Sequence, residues 1–452
     1  MCRETVLECQ DEATPAYVCN TRALVVLSSI MKFLYTLGLL APLAAAKVSY
    51  DGYKAFSIDA GKDHDAVDTI LKDLKFVSLS CESNHKTLEV AIAPESLNAF
   101  EALDLNVTVI SEDLGAEFAV EGEFEEYDPP MRLSAALAAL PDISYFNSYH
   151  TFDQHLQFLT DLRASFPSNS EVFTAGTSVE NRAIRGIHLW GSSGKGKKPA
   201  IVWHGTVHAR EWISAPTVEY LTYKIIDGYQ KNDATIRKTL DNYDIYVLPI
   251  VNPDGFVYTT TNDRLWRKNR QRRSGQSCVG TDVNRNWPYQ WNVPGGSSTN
   301  PCDETYRGLA AGDTPENRVL VNHTRTIAES TGIKFFVDWH SYSQLILLPY
   351  GYSCSASASN LNKQMSLAGG VASAIRGVNG LSFRYGPTCS TIYQTAGGSN
   401  DWAQDVAKAE LAWAFELRPA SASAGGFTVP PSNIVPSGEE IWAGMKYLFA
   451  NF

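Results

Sequence analysis

The sequence predicts an α/β protein with a central mixed, mostly parallel sheet flanked by helices, preceded by a small α+β domain. From about residue 145 onward, short apolar runs typical of buried strands alternate with segments of helical periodicity. Residues 47–131 alternate between the two patterns as well. The chain of 452 residues is 44% hydrophobic and 19% charged, which allows a sizeable core and argues against general disorder.

We expect the segment before residue 47 to be removed rather than folded. Residues 31–46 begin with Met31 and Lys32, continue through an apolar run and end in three alanines, a pattern typical of a secretory signal peptide. We interpret residues 1–30 as the product of an incorrect gene model. The alternative is a signal anchor within a longer tail, although the apolar run is too short to span a bilayer. The signal peptide predicts a secreted, extracellular protein with no membrane anchor, in which the eight cysteines are able to form disulfides.

Residues 47–132 are predicted to form the small α+β domain. Two helical and two strand-like runs carry its pattern: Ala66–Leu74, Leu88–Ile92, Pro94–Leu103 and Val107–Ile110. The acidic stretch Glu112–Asp128 and the prolines after it allow two interpretations. They form either a solvated linker or an exposed segment that is cleaved during activation.

Residues 133–452 are predicted to form the larger domain. Five apolar runs have the composition of buried strands: Ala200–Trp203, Ile245–Val251, Phe335–Val337, Leu345–Leu348 and Leu411–Phe415. Helix-start signals stand at Ser214, at Thr314, and at Ser437 with its capping-box partner Glu440. Ligands of such sheets bind beyond the carboxyl ends of the strands, and the candidate site residues follow strands in that way.

Three residues have the chemistry of a zinc site. His208 and Glu211 stand three positions apart, which places them on one face of a helical turn. His340 follows the apolar run Phe335–Val337 and offers a third ligand. A catalytic zinc typically takes three such nitrogen and oxygen ligands plus one water. Taken alone, the first pair is more often a surface contact and His340 a packed core residue, so the assignment depends on further groups.

Further groups of the required kind lie downstream. Asp282 is a candidate acceptor for a ligand imidazole, with a plain turn residue as the alternative. The arginines within Arg264–Arg267 and Asp282–Trp287 can hold a carboxylate bidentately or stabilise charge on a carbonyl oxygen, with a surface basic patch as the alternative. Glu416 ends an apolar strand, where it is either a general base for a water molecule or an ion-pair partner of Arg418.

Together these stretches resemble the metallocarboxypeptidases of the pancreatic carboxypeptidase A/B family in their secreted proenzyme form, closer to the A type. The matching stretches span nearly the whole second half of the chain: Gly205–Ile213, Arg264–Lys268, Cys278–Trp287, His340–Tyr352, Thr391–Trp402 and Phe415–Arg418. The resemblance implies a carboxypeptidase-like sheet. It also implies that residues 47–132 are an inhibitory prosegment and residues 133–452 the zinc carboxypeptidase catalytic domain.

The resemblance also implies a role for each matching residue. One zinc ion per chain is bound by three ligands: His208, Glu211 and His340. Glu416 is the catalytic glutamate, and Arg267 polarises the scissile carbonyl. The terminal carboxylate of the substrate is bound by Asn284, Arg285 and Tyr393, and Arg210 is an auxiliary substrate-binding arginine. Two disulfides are implied, which leave Cys81 without an obvious partner: Cys278–Cys302 and Cys354–Cys389.

By the same resemblance, Asn400 lies at the base of the pocket for the terminal side chain, and Thr388 lines that pocket. Basic-specific members carry an acid at the base, because a buried cationic chain end needs a countercharge. The uncharged Asn400 therefore predicts a preference for aromatic and aliphatic ends. The sequence differs from the family pattern at Arg418-Pro419, where the family usually has Arg-Asp. This difference concerns the geometry of the loop after Glu416 and not the glutamate itself.

These expectations describe a monomeric exopeptidase that acts on peptide and protein C-termini once an activating protease has removed the prosegment. Two sequons, at Asn106 and Asn322, predict glycans. The net charge of -11 argues against nucleic acid as a partner and against a basic-face binding module. A third function is a zinc-binding pseudoenzyme with an interaction or wall-assembly role, although no matched ligand, base or clamp residue is missing.

Overall fold

The computed structural model describes residues 47–61, 64–79, 87–122, 124–128 and 139–452. The predictions for residues 1–46, for Cys81 and for a cleavage site beside Arg132 lie outside these ranges. No helix within the ranges is long and apolar enough to cross a membrane.

Residues 47–122, called the N-terminal module below, contain an antiparallel four-stranded sheet of order β2-β3-β1-β4. Its elements are β1 (Lys54–Asp59), α1 (His64–Leu71), β2 (Phe76–Ser78), β3 (Thr87–Ile92), α2 (Leu97–Glu101), β4 (Val107–Ser111) and α3 (Leu114–Val120). The even-numbered apolar side chains of β1 and β3 pack against α1 and α2, as expected for strands with one buried face. Because β3 lies between β1 and β2, the predicted alternation of helical and strand-like runs produces antiparallel neighbours.

The first part of the acidic stretch, residues 112–122, is not a solvated linker. It contains α3, whose N-cap Asp113 accepts hydrogen bonds from the backbone of Gly115 and Ala116. Glu121, directly after α3, is only 1% exposed, and its carboxylate accepts hydrogen bonds from the Arg264 guanidinium at 2.6 and 2.5 Å. A buried carboxylate needs such a partner, so this end of the module is fastened to the rest of the chain.

Residues 139–452, the main module, contain an eight-stranded sheet of order β11-β10-β12-β9-β7-β8-β6-β5. The strands are β5 (Ser170–Thr177), β6 (Ala183–Leu189), β7 (Ala200–Gly205), β8 (Asp244–Leu248), β9 (Ile333–Ser341), β10 (Leu345–Leu348), β11 (Arg384–Pro387) and β12 (Leu411–Leu417). Neighbouring strands are parallel for β10–β11, β12–β9, β7–β9 and β7–β8, and antiparallel for the other pairs. The predicted mixed, mostly parallel sheet is confirmed.

Helices cover both faces of this sheet. They are α4 (Phe152–Ser165), α5 (Ser214–Gln230), α6 (Ala234–Asn242), α7 (Pro253–Thr261), α8 (Pro315–Ser330), α9 (Leu361–Asn379), α10 (Thr388–Thr391), α11 (Ser399–Asp405) and α12 (Ile434–Asn451). Alternate strand residues pack on opposite faces, with Trp203 and Trp339 on the side of α5, α9 and α12, and Val202 and Phe336 on the side of α8 and α11. Both faces are therefore buried.

The helix starts agree with the sequence at two positions and differ at one. α5 begins at Ser214, and α8 is capped by the Thr314 hydroxyl, as predicted. The predicted capping box of Ser437 and Glu440 is wrong, because α12 already begins at Ile434. A proline stands in its first turn, where the missing N–H would have had no helical partner in any case.

Candidate active site

Three side chains with the chemistry of metal ligands meet at the carboxyl ends of β7 and β9. His208 and Glu211 lie in the loop between β7 and α5, and His340 lies near the end of β9. The Nδ1 atom of His208 is 2.7 Å from one carboxylate oxygen of Glu211 and 3.1 Å from Nδ1 of His340. The Nδ1 atom of His340 is 3.2 Å from the other Glu211 oxygen. The structure thus brings the three predicted ligands together, all of them buried.

The backbone around these residues differs from the expectation in two ways. Residues 208–211 form a turn, in which the Glu211 N–H donates to the His208 carbonyl at 3.2 Å, and the helix begins only at Ser214. His340 lies inside β9 rather than after it. A turn and a helix share the spacing of three residues, so the two side chains meet although the predicted helical turn is wrong.

Each ligand imidazole is held from behind by an aspartate. The Nε2 atom of His208 is 3.2 Å from Asp282, and Nε2 of His340 is 3.3 Å from Asp338. Such contacts set the tautomer and the orientation of a ligand ring. Asp282 is the predicted acceptor, whereas Asp338 is not predicted from the sequence. The signal for it was a spacing of two along a strand, which puts Asp338 and His340 on the same face.

Zinc fits this donor set. Two imidazole nitrogens and a carboxylate are donors that zinc accepts, and the ligand atoms all lie within 4.8 Å of one another. Burial alone would raise the pKa of Glu211, but His208 and His340 hold this pKa well below its usual range. Its carboxylate is therefore ionised and able to act as a ligand.

Arg267 lies directly beside the three ligands. Its Nη2 atom donates a hydrogen bond to Asp282 at 2.9 Å, and its Nη1 atom is 3.6 Å from Glu211. The residue is buried and lines the cavity next to the ligands. Arg264 and Lys268 are buried as well, so the alternative of a surface basic patch is wrong for this stretch.

Glu416 lies on β12 directly opposite His340 in the parallel register. Its partly exposed side chain lines the same cavity. Although the residue is partly exposed to the cavity, the surrounding protein removes hydration from its carboxyl and raises the pKa of Glu416 to about 8. The alternative pairing with Arg418 is wrong, because Arg418 binds Glu440 through two hydrogen bonds at 3.0 and 2.6 Å.

A cavity of about 410 Å³ opens beside the ligands. Its lining includes five of the predicted substrate-binding residues: Asn284, Arg285, Thr388, Tyr393 and Asn400. The amide nitrogen of Asn284 is 3.2 Å from Nε2 of His340, so the clamp adjoins a ligand. Arg210 does not reach the lining and lies fully buried, with its guanidinium 4.2 Å from the ring centre of Phe427.

The two lining residues predicted to form the side-chain pocket, Asn400 and Thr388, carry no charge. The side-chain amide of Asn400 donates to the Thr388 hydroxyl at 3.2 Å, and that hydroxyl donates to a backbone carbonyl. Asp401 is absent from the lining, because its carboxylate accepts hydrogen bonds from the backbone of Gly351 and Tyr352 at 3.0 Å.

The sequence profile of zinc carboxypeptidases matches residues 155–444, which include all of these groups. The chain belongs to the zinc carboxypeptidase family. It is 44% identical to metallocarboxypeptidase A of Trichophyton tonsurans over 423 residues, covering 92% of this chain and 97% of the relative. Carboxypeptidase A2 of Mus musculus is 38% identical over 301 residues, covering 67% and 69%. The crystal structure of carboxypeptidase A from Helicoverpa armigera aligns with a TM-score of 0.74 at 26% identity, covering 89% and 97%.

Family membership confirms the predicted resemblance, the fold and the enzyme class. The chain is a metallocarboxypeptidase, a hydrolase that acts on peptide C-termini. Both disulfides predicted for this carboxypeptidase are present, Cys278–Cys302 and Cys354–Cys389. Because Cys389 is the neighbour of Thr388 in α10, the second bridge also restrains one edge of the carboxypeptidase cavity.

The N-terminal module closes one side of the carboxypeptidase cavity. It contributes three residues to the lining: Leu79, Thr87 and Glu89. The Tyr342 hydroxyl, two residues after His340, donates to Glu89 at 2.7 Å. The Tyr50 hydroxyl donates to Asp263 at 2.7 Å, next to Arg264. With the buried pair of Glu121 and Arg264, these contacts join the module to the loops that carry the site.

Proposed function

We propose that this metallocarboxypeptidase is a secreted, zinc-dependent exopeptidase, made as an inactive precursor, that removes aromatic or aliphatic residues from protein and peptide C-termini. One observation carries the proposal. A single cavity is lined by three groups of residues: the metal ligands, a set of carboxylate-binding donors and an uncharged pocket. An exopeptidase needs all three within the length of one substrate residue.

The carboxylate-binding donors account for action at the chain end. Arg285 is a buried arginine of the lining, and a guanidinium fork matches a carboxylate in geometry and charge. Asn284 and Tyr393 add an amide and a phenol beside it. Internal peptide bonds offer no carboxylate to this group, so only the last bond of a substrate is held in register with the metal ligands.

Glu416 is the residue we assign to proton transfer. Burial raises its pKa to about 8, and the positive charge of a bound cation acts in the opposite direction. The pKa that results from these two opposing effects suits a carboxylate that takes a proton from water and returns it to the leaving amine near neutral pH. A zinc ion, when bound, acidifies water and polarises a carbonyl oxygen.

Arg267 is assigned to the oxygen on which negative charge develops. Its guanidinium is already fixed by Asp282, so it needs no reorganisation as the charge forms. Because Asp282 also holds His208, one buried carboxylate orients both a ligand and the residue that stabilises the oxyanion.

The uncharged lining around Asn400 supports the preference for aromatic and aliphatic ends. A terminal lysine or arginine would lose its hydration there without gaining a countercharge. Asp401 cannot supply one while its carboxylate is engaged by two backbone N–H groups.

Several features support a secreted precursor. A signal-peptide pattern precedes residue 47, and two disulfides suit an oxidising compartment. The N-terminal module lines the cavity that a substrate would have to enter. We propose that a protease cuts between Arg132 and about Tyr145, that the released chain acts as a monomer, and that the exposed Asn106 and Asn322 carry glycans.

The test is an assay of the purified precursor before and after limited proteolysis, on blocked dipeptides ending in Phe or in Lys. We expect activity only after the cut, loss with a chelator, recovery with zinc, and faster release of Phe. Full activity of the uncut protein would contradict the precursor, and activity in chelator would contradict the zinc requirement. A cut, zinc-loaded protein with no activity would favour the pseudoenzyme.

A further inference from the structure

The two histidine ligands are held by aspartates in different electrostatic surroundings. Behind His208, the carboxylate of Asp282 shares its charge with the guanidinium of Arg267 at 2.9 Å. Behind His340, Asp338 accepts a hydrogen bond from the Ser399 hydroxyl at 2.6 Å. Within the described ranges, no lysine or arginine forms an ion pair with Asp338. A carboxylate this deeply buried, at 1% exposure, is costly without a cation nearby.

The neighbours of Asp338 in the sheet do not supply that cation. β9 lies between β12 and β7, so the cross-strand neighbours of Asp338 are Ala414 and His204. The Oδ1 atom of Asp338 is buried and makes no hydrogen bond to the residues that the structure describes. The ring nitrogens of His204 make none either. Among the described residues, the carboxylate of Asp338 therefore has two side-chain partners, the Ser399 hydroxyl and the imidazole of His340 at 3.3 Å, and only the imidazole can carry a positive charge.

We propose that Asp338 is a positioning residue that tightens zinc binding through His340. The inference rests on the zinc site proposed above. A carboxylate behind a ligand imidazole orients the ring and raises its basicity, which strengthens the bond to a metal.

Ser399 connects this arrangement to the substrate side of the cavity. It is the first residue of α11, directly before Asn400. Its hydroxyl binds Asp338, and its backbone N–H donates to the amide oxygen of Asn284 at 2.8 Å. The helix that carries the pocket residue Asn400 is thereby fastened to both the His340 aspartate and the carboxylate clamp.

The decisive variant is Asp338→Asn in the full chain. Asparagine keeps an oxygen that can accept the His340 hydrogen bond, and it removes only the charge. Zinc affinity, measured by competition with a chelator of known affinity, should weaken about 10- to 100-fold. The rise in melting temperature that zinc produces should be smaller in the variant than in the parent. A residue with a merely structural role would lower the melting temperatures of the zinc-loaded and metal-free proteins alike and leave the affinity unchanged.

A matched control is Asp244→Asn. Asp244 is a buried aspartate that binds a buried histidine, His188, at 2.9 Å, and neither residue lines the cavity. This substitution should lower the melting temperature of the zinc-loaded and metal-free proteins alike and leave the zinc affinity unchanged. Ser399→Ala removes one hydrogen bond to Asp338 and should weaken zinc binding by a smaller factor than Asp338→Asn.

The outcomes separate this inference from the function on which it rests. If the parent protein does not bind zinc, the proposed metal site itself fails. If the parent binds zinc and Asp338→Asn binds it equally well, the metal site stands and the role of Asp338 is wrong. If Asp338→Asn fails to fold without metal, Ser399→Ala decides the inference, because an unchanged zinc affinity in that variant would overturn it.

Discussion

The cavity has two walls, and they are built in different ways. The wall from the main module consists of ionisable and amide side chains that buried hydrogen bonds hold in place, as Asp282 holds both His208 and Arg267. The wall from the N-terminal module consists of Leu79, Thr87 and Glu89, and none of these is assigned a chemical step. By the proposed roles, the wall of the main module is called the catalytic wall below, and the wall of the N-terminal module the covering wall. Substitutions can separate the two roles.

The largest effect should come from removing a ligand in the catalytic wall. His340→Ala deletes one of three donors, so we expect loss of bound zinc and of turnover down to the uncatalysed background. The contacts of the N-terminal module should persist, because none of them involves His340. Metal content and dipeptide hydrolysis after proteolysis measure the change. His188→Ala, at a buried histidine outside the cavity, is the control and should retain its zinc.

A somewhat smaller effect should follow from Glu416→Ala. The side chain forms no ion pair or hydrogen bond with the described residues, so its loss should leave the fold and the metal content intact. We expect kcat to fall on the order of 10²- to 10⁴-fold, as is typical when a general base is removed. Measured kcat and zinc content on the same sample test this. Turnover comparable to that of the parent would rule out the assigned role.

The covering wall should respond in the opposite sense. Glu121→Ala leaves the buried Arg264 guanidinium without its carboxylate, and breaking a buried pair from one side costs about 3–5 kcal/mol. The uncut precursor should then gain hydrolytic activity, while the cut enzyme is unchanged. The control is Glu95→Ala, which breaks a pair with Lys75 in which both side chains are more than half exposed. If both variants are equally inactive before cleavage, the Glu121 contact does not hold the N-terminal module in place.

The two walls also differ in how far the sequence predicted them. The ligands and Glu416 are recognisable because few residue types perform that chemistry and because they stand at or near strand ends. The carboxylate clamp is predicted only by resemblance to the family. The contact of Glu121 with Arg264 joins residues 143 positions apart, and no local sequence pattern predicts a contact at that separation. A buried glutamate and an acidic linker look the same in sequence, so the covering wall could be predicted as a domain but not as a set of contacts.

Within the catalytic wall, the errors came from local backbone and from packing. The turn at His208 was read as helix because both place i and i+3 together. Asp338 was overlooked because, without the register of β9, an aspartate two positions before a histidine is unremarkable. Packing also decides where Arg210 lies. Its guanidinium stacks on Phe427, a residue of the lining, and does not itself line the cavity, so its auxiliary role stays a prediction.

The smallest predicted effect concerns preference rather than rate, and it leaves both walls intact. Asn400→Asp places a carboxylate of nearly the same size in the uncharged part of the lining, beside Thr388. A terminal lysine or arginine then gains a countercharge. An apolar terminal side chain keeps the same contact area, but its binding buries the new carboxylate without a partner, which is costly. We expect kcat/KM to shift from Phe toward Lys ends by about tenfold or more, since a charge left unpaired discriminates more strongly than apolar size does. Matched blocked dipeptides measure the shift, with Asn400→Ser as a control that changes size without adding charge. A parent enzyme that already prefers Lys would require an acidic group elsewhere along the substrate path. An unchanged ratio in Asn400→Asp would show that the terminal side chain does not reach this residue.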